Sequence, residues 1–253
     1  MGSVLARAEY IGMSELPAIC VMLLTRDRVT ANYAEQTLLA AMARLRYSGP
    51  LLWHIGDDTP EPEAADAHLV SLLAAAPPEM TASWSRGCGY GANYNAATMI
   101  AHQRASLVLP LEDDWELARE LDLDPLARVL LDSAAPVTCI RMGYIGYTAP
   151  LRGEFYWDER ARQHYLLLDP NSPEAHVFSG GPRLETVEWA RAVGPWPDTE
   201  GMNAGAVEWE VAHRPASREG VAWPLDLVPP SGGLWNHVGT VQCRRDQVEA
   251  VVS

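Results

Sequence analysis

The 253-residue chain contains no lysine; all 19 of its basic side chains are arginine. A lysine Schiff base and a P-loop lysine are therefore excluded. No uninterrupted apolar run approaches the roughly 18 residues of a membrane helix, so no membrane span is expected. Met1 to Tyr10 show no basic region followed by a long apolar one, so no secretory leader is expected either. Cysteine is scarce: Cys20, Cys88, Cys139 and Cys243 are scattered, with no C-x-x-C pair. They are expected to be reduced and mostly buried, in a cytoplasmic setting. Positive charge is also short. Against 33 acidic residues the arginines leave a formal charge of −14. This argues against a general nucleic-acid coat, whose affinity comes from net positive charge; a local basic cleft is not excluded.

What is present is ordinary for a globular protein: 48% hydrophobic and 21% charged residues. A chain of this length can bury roughly 70–75% of the surface that its unfolded form exposes. One α/β domain is expected, with no linker, repeat or low-complexity segment.

The first half alternates strand-like and helix-like segments. Ile19–Leu24 reads as a buried strand ending in Thr25-Arg26-Asp27-Arg28. Asn32 to Glu35 resembles a capping box, and Ala34, Leu38, Ala41, Met42 and Leu45 keep helical spacing up to Ser48-Gly49-Pro50. Leu51–Ile55 is a second strand, ending in Gly56-Asp57-Asp58-Thr59. A helix from Thr59-Pro60 runs to Pro77-Pro78. Met80–Trp84 is a third strand, Gly89–His102 a turn entering a helix, and Ser106–Leu111 a fourth strand ending in Glu112-Asp113-Asp114-Trp115. Pro110 cannot donate to a sheet ladder, so a bulge or one-sided pairing is expected there. A helix beyond Asp124-Pro125, a strand over Val137–Arg141, and helices over Leu184–Ala192 and Asn203–His213 complete the reading. Strand and helix alternating at these intervals imply a mostly parallel sheet with right-handed crossovers.

Parallel sheets bind ligands beyond the carboxyl ends of their strands. Three of these strands end in acidic groups: Asp27, Asp57-Asp58 and Glu112-Asp113-Asp114. Any one could be a solvated turn; three at one sheet edge suggest a shared site. The glycines of Arg86-Gly87-Cys88-Gly89-Tyr90-Gly91 follow the third strand rather than the first, which argues against a dinucleotide fingerprint.

The order of motifs over residues 19–115 resembles the GT-A (Rossmann-like) glycosyltransferases of the family 2 group. The matching features are the polar turn after the first strand, the acidic pair before Thr59, the segment Gly89-Tyr90-Gly91-Ala92-Asn93, and an apolar strand entering a D-x-D-type motif, here Glu112-Asp113-Asp114. The resemblance implies residues 18–115 as the nucleotide-sugar-binding half and 116–253 as the acceptor-side half of a single domain. It implies Asp114 as a ligand of Mn²⁺ or Mg²⁺, Glu112 facing the ribose, Asp57 at the base or ribose, and Arg86 near the base. Thr25, Arg28, Asn93 and Asp113 fall in the donor-binding motifs. The donor expected from the resemblance is a nucleoside-diphosphate sugar, a UDP-sugar first. The chemistry accounts for the carboxylates, because a divalent cation held by oxygen ligands neutralises a diphosphate leaving group.

In the second half, Gly194-Pro195-Trp196-Pro197-Asp198 with Glu208-Trp209-Glu210 to Arg214 resembles the acceptor-side segment of inverting enzymes, which implies Glu208 at the place of their catalytic Asp, with Glu210 and Asp198 as reserves. His237, in Leu234-Trp235-Asn236-His237, resembles the C-terminal histidine that GT-A enzymes return to the metal or diphosphate. His54 and His102 read as structural. The segment Arg152–Tyr165 mixes arginines with aromatics; it reads as a hairpin with aromatics packed inward, or as a patch that holds phosphates and stacks bases.

Glu112-Asp113-Asp114-Trp115 also resembles bacteriophage glycosyltransferases, some of which act on 5-hydroxymethylpyrimidines in DNA. By that resemblance the acceptor is 5-hydroxymethylcytosine in DNA, the enzyme is an inverting hexosyltransferase, and a phage-encoded protein would work in the host cytoplasm. Arg214 and Arg218, with the Arg152–Tyr165 patch, would supply the phosphate contacts. The alternatives are transfer to a soluble saccharide or small metabolite, a non-catalytic nucleotide-sugar or glycan-binding module, and a nucleotidyltransferase. The last would carry a glycine-rich loop after the first strand, which Thr25 to Arg28 lacks.

Overall fold

The computed structural model describes residues 16–26, 32–76, 80, 82–143, 152–172, 177–198, 204–227 and 234–239. Strand β1 (Ile19–Thr25) is fully buried, as its unbroken apolar run requires. Helix α1 (Tyr33–Arg44) leads to the two-residue β2 (Leu45–Arg46), then β3 (Leu51–Asp57) and α2 (Pro62–Ala75). Strand β4 (Ala82–Arg86), α3 (Tyr90–Arg104) and β5 (Leu107–Glu112) follow. Next come β6 (Trp115–Leu117), β7 (Leu121–Asp122), α4 (Asp124–Leu131) and β8 (Cys139–Arg141). A hairpin of β9 (Gly153–Asp158) and β10 (Gln163–Leu168) precedes β11 (Arg183–Thr186) and α5 (Val187–Val193). Helices α6 (Ala204–Ala212) and α7 (Pro215–Arg218), then β12 (Val221–Pro224) and β13 (Trp235–His237), close the described chain.

Nine strands form one sheet in the order β4-β3-β1-β5-β11-β8-β12-β10-β9. The first four are parallel; β11 is antiparallel to β5 and β8, and the β9–β10 hairpin is antiparallel. Two short sheets, β2–β7 and β6–β13, brace the remainder. The fold is therefore α/β, with a parallel first half. No helix among the described residues is long and apolar enough to cross a membrane.

Pro110 pairs only toward β1, opposite Met22, because β11 reaches β5 only at Leu107 and Val108. The one-sided pairing expected from its missing N–H is what occurs, without a bulge in the register. Other expectations need correction. Leu184–Thr186 is strand rather than helix: it is fully buried between β5 and β8. The helix starts only after Thr186, whose side chain accepts from the Trp189 N–H as a true N-cap. Asn32 makes no capping bond to backbone; its amide donates to the Glu35 carboxylate. Helix α1 stops at Arg44, before Ser48-Gly49-Pro50, because Leu45–Arg46 pairs with β7. Helix α2 begins at Pro62, the position that tolerates a missing N–H, rather than at Pro60. The third strand is shifted to Ala82–Arg86. Cys20 and Cys139 are buried free thiols and Cys88 is an exposed one; Cys243 lies outside the described residues.

Candidate active site

Sheet register assembles the first group of side chains. Thr25 lies opposite Asp57, Asp57 opposite Arg86, and Leu24 opposite Glu112. Four strands thus end at one level and project Thr25, Asp57, Arg86 and Glu112 along one edge.

Asp57 is buried. Its Oδ1 accepts from the Thr59 amide at 2.8 Å and the Thr59 hydroxyl at 2.6 Å. Its Oδ2 is buried and makes no hydrogen bond within the protein. A buried carboxylate oxygen without a donor is costly unless a ligand supplies one. Arg86 donates to the Pro62 carbonyl at 2.7 Å, which tethers it over the start of α2. Asp57 and Arg86 line one crevice with Ala65, Asp66, Leu69 and Trp84. Asn93 on α3 donates to the Gly56 carbonyl at 3.1 Å, leaving its own Oδ1 buried and unbonded.

Within the acidic motif the three carboxylates diverge. The Asp113 carboxylate accepts from the Arg26 amide at 3.3 Å and the Thr25 hydroxyl at 3.5 Å, while its carbonyl accepts from Thr37 at 2.7 Å. It holds the end of β5 to β1 and α1. Arg28 lies outside the described residues.

Glu112 Oε1 accepts from the Tyr90 hydroxyl at 2.5 Å, and Oε2 from the Trp115 indole N–H at 3.3 Å. Burial, followed by the charges of Asp114 and Glu208, pushes the Glu112 carboxyl up to about 7, against the opposing Tyr90 hydrogen bond. Burial and the Glu112 charge push the Tyr90 phenol well above its usual range, so it remains a donor.

Asp114 meets the C-terminal segment. Its Oδ2 is 3.4 Å from His237 Nε2, and its carbonyl accepts from the Val238 amide at 2.8 Å. The pairing of β13 with β6 sets His237 opposite Trp115, and their rings stack at 4.5 Å. A Cβ on Gly239 would sit 2.2 Å from Asp114 Oδ2, so only glycine allows that approach. Burial would lower the His237 pKa, but its hydrogen bond to Asp114 and the charges of Asp114, Glu112 and Glu208 raise it overall.

Glu208, on α6, is held beside these groups: its Oε1 accepts from the Gly180 amide at 2.5 Å. A Cβ on Gly180 would lie 3.2 Å from the Glu208 carboxyl carbon and 3.4 Å from the Tyr90 hydroxyl. Glu208, Tyr90 and Glu112 are thus near neighbours. Of the reserves, Glu210 is paired with Arg214 at 3.2 Å and Asp198 is exposed.

Sequence reasoning placed Glu112, Asp114, Glu208 and His237 separately, and the structure brings them together. It missed Tyr90, Trp115, Gly180 and Gly181, which line the same space. The Gly180-Gly181 pair was the available signal, since adjacent glycines outside a turn motif suggest close approach by other groups. His54 is structural: both ring nitrogens bond to hydroxyls, Ser83 at 2.8 Å and Ser85 at 2.9 Å.

The residues expected to contact DNA are differently engaged. Arg214 donates to the Val193 and Pro195 carbonyls, and Arg218 to those of Pro170 and Ser172. The Arg152–Tyr165 segment is a hairpin, but only Tyr156 and Tyr165 face each other inward; Phe155 and Trp157 are exposed. It forms the far edge of the sheet, five strand spacings from β5, or roughly 24 Å.

Asp114 and His237 offer one carboxylate oxygen and one imidazole nitrogen at a separation that suits adjacent ligands of a single ion. Among the described residues no three His, Cys, Asp or Glu side chains are arranged to hold an ion alone. A bound ion would therefore complete its shell with phosphate oxygens and water, as Mg²⁺ and Mn²⁺ sites do.

No family model matches the sequence, and no curated protein matches it. Solved structures do. Residues 1–349 of TarS from S. aureus match with TM-score 0.55 at 13% identity, over 81% of this chain and 57% of that one. GalNAc-T7 with UDP, GalNAc and Mn²⁺ matches with TM-score 0.55 at 13% identity, over 83% of this chain and 42% of that one. A mannosyltransferase from Pyrobaculum calidifontis with GDP-Man and Mn²⁺ gives TM-score 0.49 at 14% identity, over 83% and 57%. The chain thus spans well under two thirds of each of these chains, and what it has in common with TarS and GalNAc-T7 is the GT-A-type glycosyltransferase fold.

Proposed function

We propose that the protein transfers a hexosyl group from a nucleoside-diphosphate sugar, a UDP-sugar first, to an acceptor hydroxyl with inversion. The observation that carries this reading is the convergence of Glu112, Asp114, His237 and Glu208 beyond the carboxyl ends of β1, β3 and β5. A binding module needs no second carboxylate beside Glu112; a transferase needs a base there. The fold shared with GalNAc-T7, which holds UDP and Mn²⁺, agrees with this reading.

In this reading the crevice at Asp57 and Arg86 receives the nucleoside, with the free Asp57 Oδ2 accepting an N–H or O–H from it. Asp114 and His237 hold Mn²⁺ or Mg²⁺, which when bound neutralises charge on the diphosphate. Glu208 accepts the acceptor's proton as its oxygen bonds to the anomeric carbon. The bond from that carbon to the diphosphate oxygen breaks at the same time, and the nucleoside diphosphate leaves with the electron pair. Gly180 holds Glu208 in place through its amide.

For the acceptor we favour a soluble saccharide or small metabolite over hydroxymethylcytosine in DNA. The net charge is −14, and Arg214 and Arg218 are engaged with backbone carbonyls. A thermal-shift screen of UDP- and GDP-sugars with Mn²⁺ tests the donor. Incubation of the selected donor with a panel of mono- and oligosaccharides and with hydroxymethylcytosine DNA, read by mass, tests the acceptor. A hexose-mass gain on the DNA nucleoside alone would reverse the preference.

A further inference from the structure

Arg183, at the start of β11, is only 1% exposed, although a guanidinium stays protonated even when buried. Its guanidinium is matched on every side. Nε donates to Glu185 at 2.6 Å, Nη2 to the Tyr94 hydroxyl, and Nη1 to the Gly180 carbonyl at 2.9 Å and the Gly181 carbonyl at 3.5 Å. Three rings enclose it: Phe178 at 4.8 Å, Tyr94 at 5.6 Å and Trp196 at 5.8 Å. A buried ion pair is a poor way to stabilise a fold, since well-packed apolar replacements are often neutral or better. The contacts of Arg183 suggest another use.

Those contacts lead in two directions, and both end in the proposed active site. The peptide groups on either side of Gly180 are fixed together: its carbonyl by Arg183, its amide by Glu208. From the other side of the guanidinium, Tyr94 stacks on Trp196 at 4.0 Å, Trp196 meets Tyr90 edge-on at 5.6 Å, and Tyr90 bonds to Glu112. Asn95 clamps the Trp196 backbone, donating to its carbonyl and accepting from its amide. We infer that Arg183 is a positioning residue: its grip on the Gly180-Gly181 carbonyls and Tyr94 sets Glu208 at its working separation from the Tyr90–Glu112 pair. Lysine cannot replace it, because one ammonium group lacks the planar fork that reaches a carboxylate, a phenol and two carbonyls at once. The inference rests on the glycosyltransferase reading and on Glu208 as its base.

The test is a mutant cycle with two readouts: Mn²⁺-dependent UDP binding by calorimetry, and UDP release from the UDP-sugar that the donor screen selects. Arg183→Met combined with Glu185→Met removes the ion pair without stranding a charge. This variant should melt cooperatively and bind UDP within about threefold of the wild type, but turn over on the order of 10²-fold more slowly, as misplaced groups do. Introduced into Glu208→Gln, the same pair of substitutions should cost no more than about threefold, because the role it disturbs is already gone. Arg183→Lys, which retains the charge beside Glu185, should show the same pattern and carries the cycle if the double variant does not fold. Unchanged turnover, or losses that multiply in the Glu208→Gln background, would overturn the inference while leaving the wild type's UDP binding and turnover intact. Absence of Mn²⁺-dependent UDP binding and turnover in the wild type would instead overturn the function on which it rests.

Discussion

His237 lies flat against Trp115, with ring centroids 4.5 Å apart and planes 23° from parallel, and its Nε2 faces the Asp114 carboxylate at 3.4 Å. The stack orients the imidazole, and the carboxylate raises its pKa. Loss of an outer-shell partner typically costs a metal site 10–100-fold in affinity, so loss of a direct ligand should cost at least as much. His237→Ala is expected to weaken Mn²⁺-dependent nucleotide binding at least about tenfold, with little change in melting temperature. Unaltered binding in a calorimetric titration would assign the ring to packing on Trp115 alone.

Gly239 supplies an independent probe of the same carboxylate. A methyl group there would lie 2.2 Å from Asp114 Oδ2, so the carboxylate must swing away. Gly239→Ala should therefore lower Mn²⁺ affinity as His237→Ala does, although it touches no ligand's chemistry. A variant with normal metal affinity would show that Asp114 does not need its observed position.

Glu208→Gln retains the shape of the side chain and its bond from the Gly180 amide but removes the base. Donor affinity should be preserved, while transfer falls by a factor on the order of 10²–10⁴. A rate within about threefold of the wild type would shift the role to Glu210 or Asp198.

Glu112 makes stability depend on pH in the absence of metal. Its carboxyl is pushed from an ordinary 4.5 up to about 7 in the folded state, chiefly by burial and then by Asp114 and Glu208. Between these values the folded chain binds more protons than the unfolded one, so this group's contribution falls as pH rises from about 4.5 to 7. His237, with its pKa raised, acts in the same direction at somewhat higher pH. Thermal melts in EDTA should show stability declining over this window, and Glu112→Gln should flatten the decline. An equal slope in wild type and variant would place the titration elsewhere.

The parallel first half was legible because its signals are local. Ile19–Leu24 and Leu107–Leu111 are apolar runs ending in polar turns, and parallel register then brings Asp57 and Glu112 to one edge. Arg183 to Thr186 escaped the same reasoning. A buried strand containing Arg183 and Glu185 shows no apolar run, and its charges become tolerable only through each other and through Tyr94, 89 positions away. Tyr90 was legible as part of a glycine-rich helix start, but not as the donor to Glu112, because that bond depends on where β5 ends. Glu208 and His237 were suggested by resemblance; their meeting with Glu112 and Asp114 depends on contacts made by Gly180 and Gly239, which no pattern of periodicity encodes.

The central claim is that Asp114 holds a divalent ion through which a nucleotide sugar binds. The most direct measurement is the melting temperature of wild type and Asp114→Ala with UDP- and GDP-sugars, each with Mn²⁺ and with EDTA. A ligand that binds only the folded state raises its melting temperature. The account predicts a rise for the wild type that requires both nucleotide sugar and Mn²⁺, and no such rise for Asp114→Ala. Equal stabilisation of the two proteins, or none of the wild type by any donor, would contradict it.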